Sequence, residues 1–198
     1  MTTRISDDDF KELDWGFGGD RGRADTLVAW VSDPEFVLDE DVDPLGMLEL
    51  AGEDFAGLGE WEDAEKVALL AEEVDPGGDR GAYVAALTRM EVAAAREDLK
   101  VLTDVADGLA RRRLRDADIH TRIGELLEGC GELTRAERWF TRGILVGEAA
   151  GTKEYALLTT RNGRRRVRRA LGRPTDAMDE EGDAVRARIN DWIRGEEG

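Results

Sequence analysis

A pattern of large, small and aromatic residues occurs twice in this 198-residue chain with identical internal spacing. The first copy consists of Leu48, Ala51, Gly52, Phe55, Gly59, Ala64, Ala68 and Ala71, followed by Pro76. The second copy consists of His120, Ile123, Gly124, Leu127, Gly131, Ala136, Phe140 and Gly143. The spacing is typical of two helices separated by a glycine break, with small residues where the helices touch. Each copy therefore predicts a closely packed helical hairpin.

The two copies resemble the tetratricopeptide repeat, a helical hairpin of about 34 residues. Between them the pattern is degraded, with Glu91 at the place of Phe55 and Lys100 at the place of Ala64. In this middle unit a one-residue slip of the register gives an apolar stripe through Leu99, Leu102, Ala106 and Leu109. The helices of the first copy are predicted at about 45–57 and 60–74. After the second copy the pattern returns with a lengthened first helix at about 153–171 and a last helix at about 175–194, in which Met178, Gly182, Val185, Ile189 and Trp192 are expected to cover the end of the stack. The resemblance implies an all-α, right-handed α-solenoid over residues 44–198, with units at 44–78, 79–115, 116–150 and 151–194.

Two further runs, R-x-x-R-R-x-V-R-R from Arg161 and G-E-L-x-x-A-E-R-W-F from Gly131, resemble the repeat bodies of small actinobacterial proteins. Some of those proteins carry a cysteine-rich metal motif. This chain has one cysteine, Cys130, and lacks that motif, so no metal site is predicted. The resemblance brings no activity with it, and we expect neither an enzyme nor a cofactor.

Acidic residues are concentrated in the first part of the chain. Residues 1–78 contain 23 Asp or Glu and 5 Lys or Arg, whereas residues 79–198 contain 22 and 23. Within the acidic part, residues 1–43 are predicted to form an arm with a short helix at residues 24–32, poorly ordered over residues 1–22. Aromatic residues in the arm, including Trp15 and Phe17, either dock it on the body or form a motif for a partner.

The N-terminal residues lack the basic and apolar regions of a signal peptide, and no apolar run is long enough to span a membrane. A single cysteine also favours a reducing compartment. These features predict a cytoplasmic protein without a membrane partner.

In a solenoid of this kind, the first helix of each hairpin lines an inner groove. The resemblance implies a protein-interaction or adaptor module that binds a partner segment in that groove. Acidic groups of the partner would meet Arg89, Arg122, Asn162, Arg166 and Arg169, and a basic part would meet Glu49 and Glu53. Association with a second copy of the chain is also open.

Seven arginines occur between residues 161 and 173 without an intervening acid, and three interpretations compete. The arginines pair with acids of the following helix, such as Asp176 and Asp179 or Glu180 and Glu181. Alternatively they bind acidic groups of a partner protein, or they contact phosphates as part of a nucleic-acid-associated factor. A further alternative is that the acidic N-terminal half inhibits a basic partner that handles nucleic acid.

The lone histidine, His120, and the lone cysteine, Cys130, are the two residues best suited to catalysis. His120 stands where the repeat commonly has tryptophan, so we expect a packed helix residue. Cys130 has no second histidine to activate it, so packing is favoured over nucleophilic use.

Overall fold

The computed structural model describes residues 2–14, 21–112 and 114–195. Over these residues the protein is all-α, with ten helices and one pair of short strands. In chain order the elements are β1 (Thr3–Ile5), α1 (Asp7–Asp14), α2 (Arg21–Ser32), β2 (Phe36–Leu38), α3 (Pro44–Leu58), α4 (Trp61–Val74), α5 (Asp79–Ala95), α6 (Leu99–Ala110), α7 (Ala117–Gly129), α8 (Leu133–Ala149), α9 (Leu158–Ala170) and α10 (Ala177–Arg194).

The chain divides into two compact units, Met1–Leu109 and Ala110–Gly198. In the first unit α3 packs on α2, α4 and α5, and α4 also packs on α5. In the second unit α7, α8 and α9 pack on one another, and α10 packs on α9. This division does not coincide with the boundary drawn at residue 43 from the sequence, because α2 before that boundary packs on α3 after it.

The N-terminal residues are more regular than the sequence suggested. Strand β1 pairs in parallel with β2, with Arg4 opposite Val37. At the start of α1 the Ser6 hydroxyl accepts a hydrogen bond from the Asp9 amide, and the Asp9 carboxylate accepts one from the Ser6 amide. This reciprocal cap stabilises the first turn. The prediction of a poorly ordered arm was wrong for these residues, because the strand partner is distant in sequence. Trp15 and Phe17 lie outside the described residues.

The first predicted hairpin, over residues 45–57 and 60–74, is confirmed as α3 and α4. Asp43 caps α3 by accepting a hydrogen bond from the Leu45 amide at 3.1 Å, and Pro44 occupies the first helical turn. The helix ends at Gly59, whose φ of 78° suits a residue without a side chain. These local signals account for the accuracy of the predicted boundaries.

The two helices predicted for the middle unit are present as α5 and α6. Close packing of α5 on α3 depends on Gly52, because a Cβ there would lie 2.4 Å from Thr88 Oγ1. In α6, Leu102, Ala106 and Leu109 are buried as the apolar stripe predicts. Leu99, which was assigned to the same stripe, is exposed because it is the first residue of the helix.

In the second unit the core of the hairpin is centred on Phe140, which is fully buried in α8. Two glycines make room for its ring. A Cβ at Gly124 of α7 would lie 2.8 Å from Phe140 Cε1, and one at Gly163 of α9 would lie 2.5 Å from the same atom. The three helices therefore meet around one aromatic ring, and the third predicted unit is confirmed as the helices α7 and α8.

Helix α9 begins at Leu158 rather than near residue 153 as predicted. The preceding residues form turns, in which the Thr152 amide donates to the Gly147 carbonyl. Leu157 packs closely on α8, since a Cβ at Gly147 would lie 2.5 Å from its Cδ2 atom. The residues before Leu158 thus place Leu157 against α8 and do not extend the helix toward residue 153.

The last helix, α10, begins at Ala177, close to the predicted residue 175. Asp176 and Asp179 form a capping box at its start. Val185 is buried, but Trp192 is 70% exposed. The prediction that Trp192 covers the end of the stack was wrong, because its side chain is largely exposed and lines an open cleft with Tyr155.

Candidate functional site

Helix α9 holds most of the arginine cluster, and one of its sides is buried. Arg161, Arg164 and Arg168 are 4%, 6% and 8% exposed. Arg161 Nη2 donates to Glu148 of α8 at 2.6 Å, and its Nη1 donates to Glu181 of α10 at 3.3 Å. The interpretation that arginines pair with acids of the following helix is confirmed for this side.

Arg164 and Arg168 share a network of acids at the start of α10. Arg164 binds both carboxylate oxygens of Asp176, at 3.0 and 2.6 Å, and also donates to Asp179. Arg168 donates to Asp179 at 2.9 Å and to Glu137 of α8 at 2.8 Å. Hydrogen bonds from Arg164 hold the pKa of Asp176 well below its usual value. This network fixes α10 on α9 and α8 and leaves these arginines unavailable to a partner.

The other side of α9 carries Asn162, Arg166 and Arg169, three of the residues predicted to bind a partner. Arg166 makes a bidentate contact with Glu128 of α7, with distances of 2.5 and 2.6 Å. Its side chain is nevertheless 58% exposed. The hydrogen bond with Glu128 raises the pKa of Arg166 above its usual value. Asn162 accepts a hydrogen bond from Arg186 of α10.

A concavity of about 400 Å³ lies between this side of α9 and α10. We call it the basic concavity; it is lined by Asn162, Arg165, Arg166, Arg169 and Arg186. Arg169 is exposed, and no carboxylate among the described residues lies within ion-pair distance of it. Among the described residues the ion pairs of Arg165 and Arg186 are long: Arg165 lies 3.5 Å from Asp183 and 3.8 Å from Asp179, and Arg186 lies 3.6 Å from Asp183. The basic concavity therefore presents positive charge that its own acids neutralise incompletely.

Two members of the basic concavity were not among the predicted site residues. Helical spacing placed Arg165 on one face with Arg161, Arg164 and Arg168, and Arg186 was not considered. The register of α10 on α9 brings them together, with Gly182 approaching Arg161 closely enough that a Cβ would lie 3.3 Å from the arginine Cβ. The sequence indicated only that Arg186 lies four residues after Gly182, which places both residues on the same side of α10.

The predicted site residues of the first unit lie on α3 and α5. Arg89 donates to Glu65 at 2.9 Å and to Glu72 at 2.8 Å, both on α4, and the Glu65 hydrogen bond raises its pKa. Glu49 accepts a hydrogen bond from Tyr83 at 3.3 Å, and Glu53 is exposed. Arg89 is thus held by acids of the preceding hairpin, on α4.

The remaining predicted site residue, Arg122, lies half-buried on α7 in the second unit. It does not line the basic concavity. Of the seven predicted residues, the structure brings Asn162, Arg166 and Arg169 together around the basic concavity.

His120 is a packed helix residue, as predicted. It is 4% exposed, its ring lies 5.3 Å from that of Trp139, and its Nδ1 donates to the Asp116 carbonyl. Burial lowers its pKa. Burial raises the pKa of the half-buried Cys130 thiol, which disfavours the reactive thiolate.

No protein-family model, curated protein or solved structure matches this chain. Among the described residues, no helix is both long and apolar enough to cross a membrane. In that same part of the chain, His, Cys, Asp and Glu side chains form no group suited to holding a metal ion.

Proposed function

We propose that this protein is an interaction module that binds an acidic segment of a partner protein in the basic concavity of its second unit. The observation that carries the proposal is Arg169. Its guanidinium is exposed at a concave surface beside three other arginines, and no acid of the described chain pairs with it. Arginine forks bind carboxylates in a bidentate manner, so this surface suits Asp or Glu side chains or a C-terminal carboxylate.

The packing of the helices supports a tetratricopeptide-like solenoid as the scaffold. In each unit the first helix of a hairpin packs both on its own second helix and on the first helix that follows, as α3 does on α4 and α5. In the second unit α7 packs in the same way on α8 and α9. Stacked hairpins of this type expose the side chains of their first helices on one surface, and α9 would be such a first helix.

Charge and composition favour an acidic peptide over nucleic acid as the ligand. Three of the seven clustered arginines are buried in ion pairs and cannot contact phosphates. The lining of the basic concavity contains no aromatic side chain on which a base would stack. The net charge of −17 also repels a polyanion as a whole.

Affinity capture with three forms of the full chain tests the proposal. The bait proteins are the wild type, Arg169→Glu and Arg138→Glu, each incubated with untreated and with nuclease-treated lysate of the organism that encodes the chain. Arg138 is exposed on α8 and does not line the basic concavity, so its variant matches the charge change of the first. An acidic segment of each retained protein is then synthesised and titrated against the three baits.

We expect a protein that is retained by the wild type and by Arg138→Glu, and an acidic peptide from it that binds Arg169→Glu about tenfold more weakly. Equal peptide affinity for all three forms would contradict the proposal. Retention that disappears with nuclease and falls steeply with added salt would instead favour nucleic-acid association.

A further inference from the structure

The helix α10 exposes a continuous stripe along one side. It consists of Ala177, Glu181, Ala184, Arg188 and Trp192, which are all exposed and are spaced three or four residues apart. Trp192 is 70% exposed and Tyr155, in the turn before α9, is 62% exposed. Exposed aromatic side chains that line one apolar patch are typical of an interaction surface.

Beside Trp192 the structure has an apolar cleft of about 760 Å³. Its apolar lining is Tyr155, Val185, Ile189 and Trp192. Its charged rim contains Lys153 together with Glu154 and Arg188, which pair with each other. The cleft and the stripe share Arg188 and Trp192 and form one surface, which we call the α10 face.

The charges of α10 are divided between its two halves. The acids Asp179, Glu180, Glu181 and Asp183 lie in the first half, and the second half holds the bases Arg186, Arg188 and Arg194 together with one acid, Asp191. A helix with this division is complementary to itself when two copies run in opposite directions. A two-fold dimer requires a surface of that kind, because the same patch serves both partners.

We propose that the α10 face binds the α10 face of a second copy of this chain, with the two helices antiparallel. When Ala177 of one copy lies opposite Trp192 of the other, Glu181 necessarily lies opposite Arg188, because both pairs have the same midpoint. Ala184 then lies at the centre, where its small side chain allows the helix axes to approach closely. Each tryptophan covers the first turn of the partner helix.

Existing ion pairs within the chain do not prevent this arrangement. Arg188 pairs with Glu154, and Glu181 pairs with Arg161 at 3.3 Å. Glu181 and Arg188 are still 54% and 57% exposed, so each has room for a second partner. A uniformly acidic or basic protein would complement one half of α10 and be repelled by the other, which favours a second copy as the occupant.

Sedimentation equilibrium of the full chain, between about 1 and about 500 µM, tests the proposal over the affinity range of weak dimers. The monomer mass is 21.9 kDa, and we expect the apparent mass to rise toward twice that value with concentration. Trp192→Glu should remain monomeric. The matched control is Leu145→Glu, at a position on α8 that is 51% exposed, and it should dimerise like the wild type.

A charge exchange gives an independent test. Glu181→Arg and Arg188→Glu should each weaken dimerisation about tenfold, since each places like charges opposite one another. The double variant restores opposite charges and should dimerise within about threefold of the wild type. A wild type that is monomeric at all concentrations would overturn the proposal. The proposal would also be overturned if a correctly folded Trp192→Glu dimerised as tightly as the wild type. A double variant that dimerised no more tightly than the weaker of the two single variants would overturn it as well.

Discussion

Arginines lie on two sides of α9, and their surroundings differ. Arg161, Arg164 and Arg168 are almost fully buried and contact acids of α8 and α10. Arg166 and Arg169 are exposed, and Arg169 has no carboxylate partner among the described residues. Similar residues in one helix therefore hold the fold on one side and present charge to solvent on the other.

The difference shows that an arginine-rich helix is not in itself a binding site. A guanidinium that is buried on folding loses its hydration, and this loss is costly unless carboxylates pair with it. An exposed guanidinium keeps its hydration and contributes little to stability. The candidates for partner binding are thus the exposed arginines that make no buried ion pair.

The largest effect is expected when the buried network loses an acid. Replacing Asp179 by alanine leaves Arg164 and Arg168 incompletely paired in the core and should lower the free energy of unfolding by about 3–5 kcal/mol. Asp183→Ala is the control. Asp183 is 43% exposed with long ion pairs, so its loss should be below about 1 kcal/mol. Urea denaturation measures both, and equal losses would contradict a special role for the buried side.

A smaller effect is expected from filling the space at Gly163. This substitution tests the packing of α9 independently of its ion pairs. Gly163→Ala places a Cβ 2.5 Å from the Phe140 ring and should destabilise the protein by about 1–3 kcal/mol. A Cβ at Gly129 meets no atom within 4 Å. Gly129→Ala should therefore leave the thermal midpoint unchanged or raise it slightly, and an equal fall in both variants would argue against close packing on Phe140.

The pH dependence of stability should reflect the buried side of α9. Because Arg164 holds the pKa of Asp176 below its usual value of 3.8, the unfolded chain takes up a proton before the folded one does. The stabilisation is present above about pH 4 and is lost as the pH falls further. Asp176→Asn should flatten this part of the stability curve, measured by denaturation at several pH values. Glu180→Gln, at an exposed position of α10, should keep the wild-type slope.

The smallest effect on stability is expected on the exposed side. Arg166→Ala removes a surface ion pair with Glu128 and should cost less than about 1 kcal/mol. Arg169→Ala should change the unfolding free energy by less than about 0.5 kcal/mol. A loss of several kcal/mol in either variant would show that both sides of α9 are structural, and would remove the basis for a binding site there.

Much of the helical layout was predictable because its signals are local. Asp43 with Pro44, the glycine breaks at Gly59 and Gly131, and the repeated small residues fix where the hairpins begin, turn and touch. The strand pair was missed, since α1 and α2 separate β1 from β2 in the sequence. The start of α9 was also displaced, because burial of Leu157 on α8 is not visible in the helical pattern.

The candidate site was predictable only in part. The repeat resemblance grouped Asn162, Arg166 and Arg169, and the structure places these three around the basic concavity. Arg186 joins them from another helix, and Arg89 is engaged by Glu65 and Glu72 of the preceding helix α4. Whether a charged side chain is free depends on which acids lie within a few ångströms, and spacing along one helix does not specify that distance.

The sequence alone therefore specified an all-α chain of helical hairpins and the clustering of arginines in α9, because caps, glycines and periodicity act between near neighbours. The division of those arginines into buried ion pairs and a basic concavity, and the exposure of Trp192 on α10, followed from the register of one helix on the next. That register is set by contacts such as Gly182 with Arg161 and Gly163 with Phe140, which join residues far apart in the chain.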